Sequence, residues 1–196
     1  MTVEWFDIVD ENGTALGRAT RARCHDGSKL LHPVVHVHVF NSGGKLLLQK
    51  RKLTKDIQPG KWDTSVGGHI QAGEPLEDAI RREVLEEIGI EIDPARLRPL
   101  GRYLFESEIE REYVYSYACI HDGPFRIQEE EIDEVRFLDS AEIGALIAAG
   151  ETTPNFNRET VLLRKEKLLG EQAGGAGFPP GRFLDCPNMK SFGSDE

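Results

Sequence analysis

The stretch GGHIQAGEPLEDAIRREVLEEIGI, Gly67 to Ile90, decides how this chain is read. Its pattern predicts a helix over about 75–88, with Pro75 at the first helical position, acids in the first turn and Gly89 as the stop. At about 100° per residue, Ile80, Val84 and Ile88 fall on one apolar stripe, and Glu83, Glu86 and Glu87 fan out along its edge. Three carboxylates at i, i+3 and i+4 repel one another, and partial burial sharpens the repulsion. Something must compensate them.

Two compensations compete. One is solvent, with Arg81 and Arg82 close by, as on many acidic helix faces. The other is a hard divalent cation such as Mg²⁺ or Mn²⁺, which prefers carboxylate oxygens and leaves coordination positions for water and substrate phosphate. Gly67, Gly68 and Gly73 favour the cation, because they let backbone groups approach the same place.

Outward from this helix the pattern is mixed α and β. VEWFDIV and TALGRATR flank the turn Asp10–Gly13 and predict a first hairpin. PVVHVHVF and KLLLQKR predict a second, with Val35, Val37 and Val39 on one face of its first strand and His36 and His38 on the other. Residues 52–62 read as a loop. RPLGRYLFES, REYVYSYACI, PFRIQ and EVRFL read as further strands. Asp139, with Glu142 three residues on, has capping-box spacing and predicts a helix to about Ala149; another is expected from Asn155 to Leu169. We place one domain at 1–170 and a Gly/Pro-rich tail at 171–196, in which Phe178, Phe183 and Leu184 are the residues able to dock.

Composition narrows the function. A net charge of −10 disfavours nucleic acid and anionic membrane as partners, and any bound phosphate then requires local cations. No segment approaches the roughly 20 apolar residues of a membrane helix, and the acidic start does not read as a signal peptide. Three scattered cysteines argue against a disulfide framework and for a cytoplasmic location.

The order from Gly68 is Gly, five residues, Glu74, seven residues, Arg82-Glu83, Val84, one residue, Glu86-Glu87, one residue, Gly89 and Ile90. This resembles the Nudix box at every defined position. The resemblance covers about residues 3–169 and implies a mixed sheet sandwiched between helices, the box being loop, helix and loop. It implies that Glu83 and Glu87 are the principal metal ligands, that Glu86 shares the metal and that the Gly67 carbonyl is a further ligand. It also implies that Arg82 orients the glutamates and that Glu74 braces the box. The activity implied is attack of water on phosphorus in a diphosphate linkage, with a small pyrophosphate as substrate. The general base is Glu83 or Glu86 of the box, or an acid of the later loop QEEEIDEV, where Glu129, Glu130 and Glu131 stand and Glu131 is favoured; solvated loop acids are the plain alternative.

A closer likeness is to the isopentenyl diphosphate isomerase branch of the same superfamily, carried by the segment from Cys24 to His69 and by EREYVYSYA. That branch holds a divalent ion with three histidines and two glutamates, matched here by His25, His32, His69, Glu110 and Glu112, which implies a second site for Zn²⁺, Mn²⁺ or Mg²⁺. His36 and His38 match no ligand position and are expected only to pack. Arg51 and Lys55 match diphosphate-binding positions. The branch also needs a cysteine at the position of Gly67, so the scaffold looks isomerase-like while the chemistry looks hydrolytic. Cys24 is expected to be a small buried residue, and Trp62 and Tyr103 to lie in the core.

The function expected is a metal-dependent Nudix hydrolase acting on a nucleoside diphosphate derivative or related pyrophosphate. The rivals are an isopentenyl diphosphate isomerase and a nucleotide-binding module without turnover. No stretch marks the substrate, and the oligomeric state is open, a homodimer being common among similar enzymes.

Overall fold

The computed structural model describes residues 3–55 and 57–170, together with a two-residue strand at Phe183–Leu184. The first hairpin forms as predicted, β1 at Trp5–Val9 against β2 at Ala15–Thr20. A short helix, α1 at Arg21–Cys24, begins at the last residue of the expected strand, its first turn capped by the Thr20 hydroxyl.

The long central strand is β3, Leu31–Phe40, and all ten of its residues are buried. It runs parallel to β8 (Arg111–Ile120), which pairs with β7 (Arg98–Glu106), which pairs with β10 (Phe183–Leu184). The rest of the 171–196 tail lies outside the described residues. On its other edge β3 meets β4 (Leu46–Arg51) only at Phe40 and Leu46, and pairs with β6 (Val66–His69) from Val34 to Val37. β4 turns away to pair with β5 (Trp62–Asp63) and β9 (Ile132–Leu138). β5 and β6 fall at the end of the predicted loop and beyond it, and at two and four residues they are too short to show a period.

Where β3 and β4 part, the buried Ser65 hydroxyl bridges them. It accepts from the Val39 amide at 2.9 Å and donates to the Leu47 carbonyl at 2.5 Å. Ser65→Ala should therefore cost about 1–3 kcal/mol, because the Val39 amide is left buried without an acceptor. A thermal midpoint lower by roughly 2–4 °C per kcal/mol is the expected reading, and an unchanged midpoint would show the bridge to be dispensable.

Helices cover both faces of the sheet. α2, Leu76–Ile88, lays Ile80, Val84 and Ile88 on Val35, Val37, Val39 and Leu47. α3 (Ser140–Ala148) and α4 (Pro154–Lys165) pack Ile143, Phe156, Leu162 and Leu163 against Leu46, Leu48 and Trp62 on the opposite face. α3 has the predicted capping box, and α4 ends four residues short of the expected Leu169. Trp62, Tyr103 and Cys24 are buried as expected.

Two local expectations are corrected. Pro75 is the residue before α2 rather than its first residue, since its backbone is extended at ψ 142°. PFRIQ is not a strand. Its Arg126 and Gln128 amides donate to the Ile88 and Glu87 carbonyls, at 3.0 and 3.1 Å, and so satisfy the exposed end of α2. Gly89 makes this approach possible: it has a left-handed φ of 69°, and a Cβ there would stand 2.7 Å from the Arg126 carbonyl oxygen.

Candidate active site

Three consecutive residues of β6 join the two constellations. The Gly67 amide donates to Glu87 at 3.1 Å, Gly68 abuts the Glu83 carboxylate, and the His69 ring stands among the other histidines. Gly67, Gly68, His69, Glu83 and Glu87, with His25 and Glu110, line one cleft of about 780 Å³, which is within the usual range for a small-ligand site.

On the helix side, Glu83 and Glu87 are buried while Glu86 is half exposed. Burial pushes the Glu83 carboxyl up to about 7, against the pull of Arg82. Burial and the charge of Glu83 raise Glu87 well above the usual carboxylate range. Arg82 is the fixed point of the box. It grips Glu74 with two bonds of 2.8 Å, donates to Glu83 at 2.6 Å and to Glu86 at 3.3 Å, and reaches the His69 carbonyl at 3.0 Å. Glu74 also accepts from the Gln71 amide. Glu87 is held by the Gly67 amide and by Gln49 at 3.0 Å. This is an all-oxygen donor set of buried carboxylates, with less positive charge than negative, and it suits a hard divalent ion.

On the hairpin side the structure gathers His25, His32, His69 and Glu110, whose ligand atoms all lie within 4.8 Å of one another. His25 Nε2 is 3.1 Å from both His69 Nε2 and Glu110 Oε2. His32 Nδ1 donates to the Leu30 carbonyl, which leaves its buried Nε2 lone pair with no partner. Burial lowers His25 to about 4 and lowers His32 and His69 too, so all three rings are neutral at pH 7, the ligating form. An orphaned lone pair among neutral imidazoles and a carboxylate fits a divalent transition ion. Of the five residues expected here, four form the cluster; the fifth, Glu112, lines the same cleft, and its Oε2 accepts from Asn155 Nδ2 at 3.1 Å.

Arg51 and Lys55 line the cleft and are held by acids and a carbonyl. Arg51 donates to the Ile57 carbonyl at 2.9 and 3.1 Å and to Asp63 at 3.3 Å; Lys55 donates to Glu131 at 2.6 Å. Sequence reasoning missed Asp63, Gln49 and Asn155. It also missed Phe6, stacked on the His69 ring at 4.5 Å, and Arg21, 3.2 Å from His69 Nδ1. Gln49 left one signal, a polar residue directly after the apolar run Leu46–Leu48.

Residues 30–162 match the NUDIX domain. The chain belongs to the Nudix family. An uncharacterized Nudix hydrolase of Yersinia pestis is 37% identical over 153 residues, 78% of this chain and 81% of the relative. The uncharacterized Nudix hydrolase YfcD of Escherichia coli is 35% identical over 170 residues, 87% and 92% of the two chains. A crystal structure from Deinococcus radiodurans superposes with a TM-score of 0.67 at 29% identity, covering 82% of this chain and 98% of that one. A MutT protein of Methanosarcina mazei shares the fold, with a TM-score of 0.61 at 24% identity over 71% and 98% of the two chains. As a Nudix hydrolase, the chain is an enzyme of the pyrophosphohydrolase class. Among the described residues no helix is long and apolar enough to cross a membrane.

Proposed function

We propose that this Nudix hydrolase is metal-dependent and cleaves a nucleoside diphosphate derivative or related pyrophosphate by attack of water on phosphorus. The observation that carries the reading is the buried Glu83–Glu87 pair in a cleft shared with Arg51 and Lys55. Glu83 and Glu87, with Glu86 and the Gly67 carbonyl, would hold Mg²⁺ or Mn²⁺. When bound, the ion supplies charge neutralisation at the phosphoryl oxygens and acidifies water. His25, His32, His69 and Glu110 would hold a second divalent ion.

The protein's own groups do the rest. Substrate phosphate exchanges with Asp63 and Glu131 for Arg51 and Lys55, Arg51 suiting a two-pronged contact and Lys55 a point charge. Release from Lys55 frees the Glu131 carboxylate to take the proton of the attacking water. The new bond is from water oxygen to phosphorus, and the anhydride P–O bond breaks with its electrons leaving on the departing phosphate. Glu83 and Glu86 are the other acids able to serve as base.

The test is a panel of nucleoside diphosphate derivatives with Mg²⁺, Mn²⁺ and Zn²⁺ supplied separately. Turnover to a phosphate or monophosphate is expected, and binding without product would instead favour a nucleotide-binding module. Metal content separates the two centres: His32→Gln should remove the ion of the histidine cluster, and Glu87→Gln that of the box. An unchanged metal count in both variants would refute the pair of sites. The gathered histidine cluster also favours a second reading, isomerisation of isopentenyl diphosphate, which Gly67 opposes for want of a thiol. Formation of dimethylallyl diphosphate from that substrate would establish it.

A further inference from the structure

The N-terminal hairpin is a sheet of its own, β1 with β2, and two strands without further cover are marginal in water. Part of what holds it is a small apolar cluster, in which Phe6, Ala19 and Cys24 are buried and Ile8 and Leu30 pack against them. This cluster is built against the histidines. Cys24 adjoins His25 in the chain, the Leu30 carbonyl accepts from His32 Nδ1 at 2.9 Å, and Phe6 faces two of the rings directly. The Phe6 ring is within 4° of parallel to His69, with centroids 4.5 Å apart, and within 17° of parallel to His32 at 5.4 Å. His32 and His69 are themselves stacked, 5.2 Å apart and 15° from parallel, whereas His25 is tilted by 46° and 48° against them.

The backbone fixes where Phe6 stands. It bridges Gln71, two residues beyond His69, while the Ala72 amide donates to the Trp5 carbonyl at 2.8 Å and the Gly73 amide to Asp7 Oδ2 at 2.7 Å. β1 is thereby tied to the chain that leaves β6, and Phe6 is only 1% exposed. Leucine or methionine would satisfy an apolar cluster as well. What a flat ring adds is orientation, because the last torsion of a histidine is broad and roughly two-fold. A turned ring carries its nitrogen away from the place where the ligand atoms of His25, His32, His69 and Glu110 come within 4.8 Å of one another.

We propose that Phe6 is a positioning residue of the histidine centre: its ring holds the planes of His69 and His32 so that, with His25 and Glu110, they meet one divalent transition ion. The proposal rests on the reading that this cluster holds an ion, and goes beyond it by giving the N-terminal hairpin a part in that site. Two effects act in the same direction. Orientation supplied in advance leaves less freedom to be lost on binding. An imidazole that has given its lone pair to an ion is also electron-poor, and the negative π-face of Phe6 attracts such a ring more strongly than a free one. By reciprocity, the ion favours the docked hairpin by the same factor as the docked hairpin favours the ion.

The probe is Co²⁺, whose visible absorption reports its ligands, titrated into metal-stripped protein with Mg²⁺ in excess for the box. The signal of the histidine centre is the part that His32→Gln removes. Phe6→Leu, which keeps apolar bulk and loses the plane, should weaken this Co²⁺ site about tenfold or more, the usual loss when an outer partner of a ligand is removed. Phe6→Tyr, which keeps the plane, should bind close to the unaltered value. Mg²⁺ should still raise the thermal midpoint of the Phe6→Leu protein; loss of that response along with the Co²⁺ site would make Phe6 a general packing residue and overturn the assignment. In the unaltered chain, saturating Co²⁺ should slow hydrogen exchange of the β1 and β2 amides by about the same factor, a reading that needs no substitution. Unchanged Co²⁺ affinity in Phe6→Leu protein, a Phe6→Tyr protein no better than Phe6→Leu, or hairpin exchange that Co²⁺ leaves as it was each overturns the assignment and leaves the ion reading standing. Unaltered protein with no His32-dependent Co²⁺ signal overturns both.

Discussion

Gly68→Ala is expected to fold and to lose about a hundredfold or more in turnover. A Cβ on Gly68 would stand 1.9 Å from the Glu83 carboxylate carbon and 2.2 and 2.3 Å from its oxygens. The backbone is not the obstacle, since Gly68 is outside the left-handed region and alanine can adopt its conformation. What must yield is the far end of a flexible side chain. Glu83 can retreat by the roughly 1.5 Å that restores ordinary contact, at little cost in stability. In retreating it leaves the 2.6 Å bond to Arg82 and its place beside Glu87. Misplacement of a reacting constellation by about 1 Å costs on the order of 10²-fold. Gly89→Ala is the contrast, because there the clash is with the Arg126 backbone and φ is 69°. That variant should lose stability first, with a thermal midpoint several degrees lower. Melting curves and turnover measured on both variants separate the effects; a fully active Gly68→Ala protein would show that Glu83 is not needed where it stands.

How much of this could be read from the sequence follows from the range of the interactions. The box is local: Glu83, Glu86 and Glu87 sit on one helix edge and Gly68 and Glu74 just before it, so spacing alone brings them together. The alternation of β3 separated Val35 from His36 for the same reason. The partners of those residues are not local. His36 finds Glu159, Gln49 finds Glu87 and Arg51 finds Asp63 only because α4, α2 and β5 pack or pair where they do. PFRIQ misled because its alternation is that of a strand, while its amides were claimed by the end of α2. Glu112 belongs with the pairs that are not local, since Asn155, which hydrogen-bonds one of its oxygens, comes from α4.

Glu87→Gln should abolish turnover, by about 10³-fold or more, and at the same time stabilise the metal-stripped protein. The loss follows from removing one charged partner in a desolvated site, where a single preorganised group is worth that much. The gain follows from the same burial. Glutamine keeps the shape and an oxygen that can accept from Gln49 and the Gly67 amide, but it carries no charge to set against Glu83. Because burial and Glu83 raise the Glu87 carboxyl in the folded chain, the unfolded chain ionises first. This group therefore removes stability as pH rises above its ordinary value of 4.5, and the variant escapes that loss. In EDTA its thermal midpoint should exceed that of the unaltered chain by a few degrees at pH 8, roughly 2–4 °C per kcal/mol relieved, and by less at pH 5. Added Mg²⁺ should then raise the midpoint of the unaltered chain, as ligand binding to the folded state must, and leave the variant where it is. Equal midpoints in EDTA at pH 8, with an undiminished response to Mg²⁺, would mean that the buried carboxylates are not what the ion neutralises.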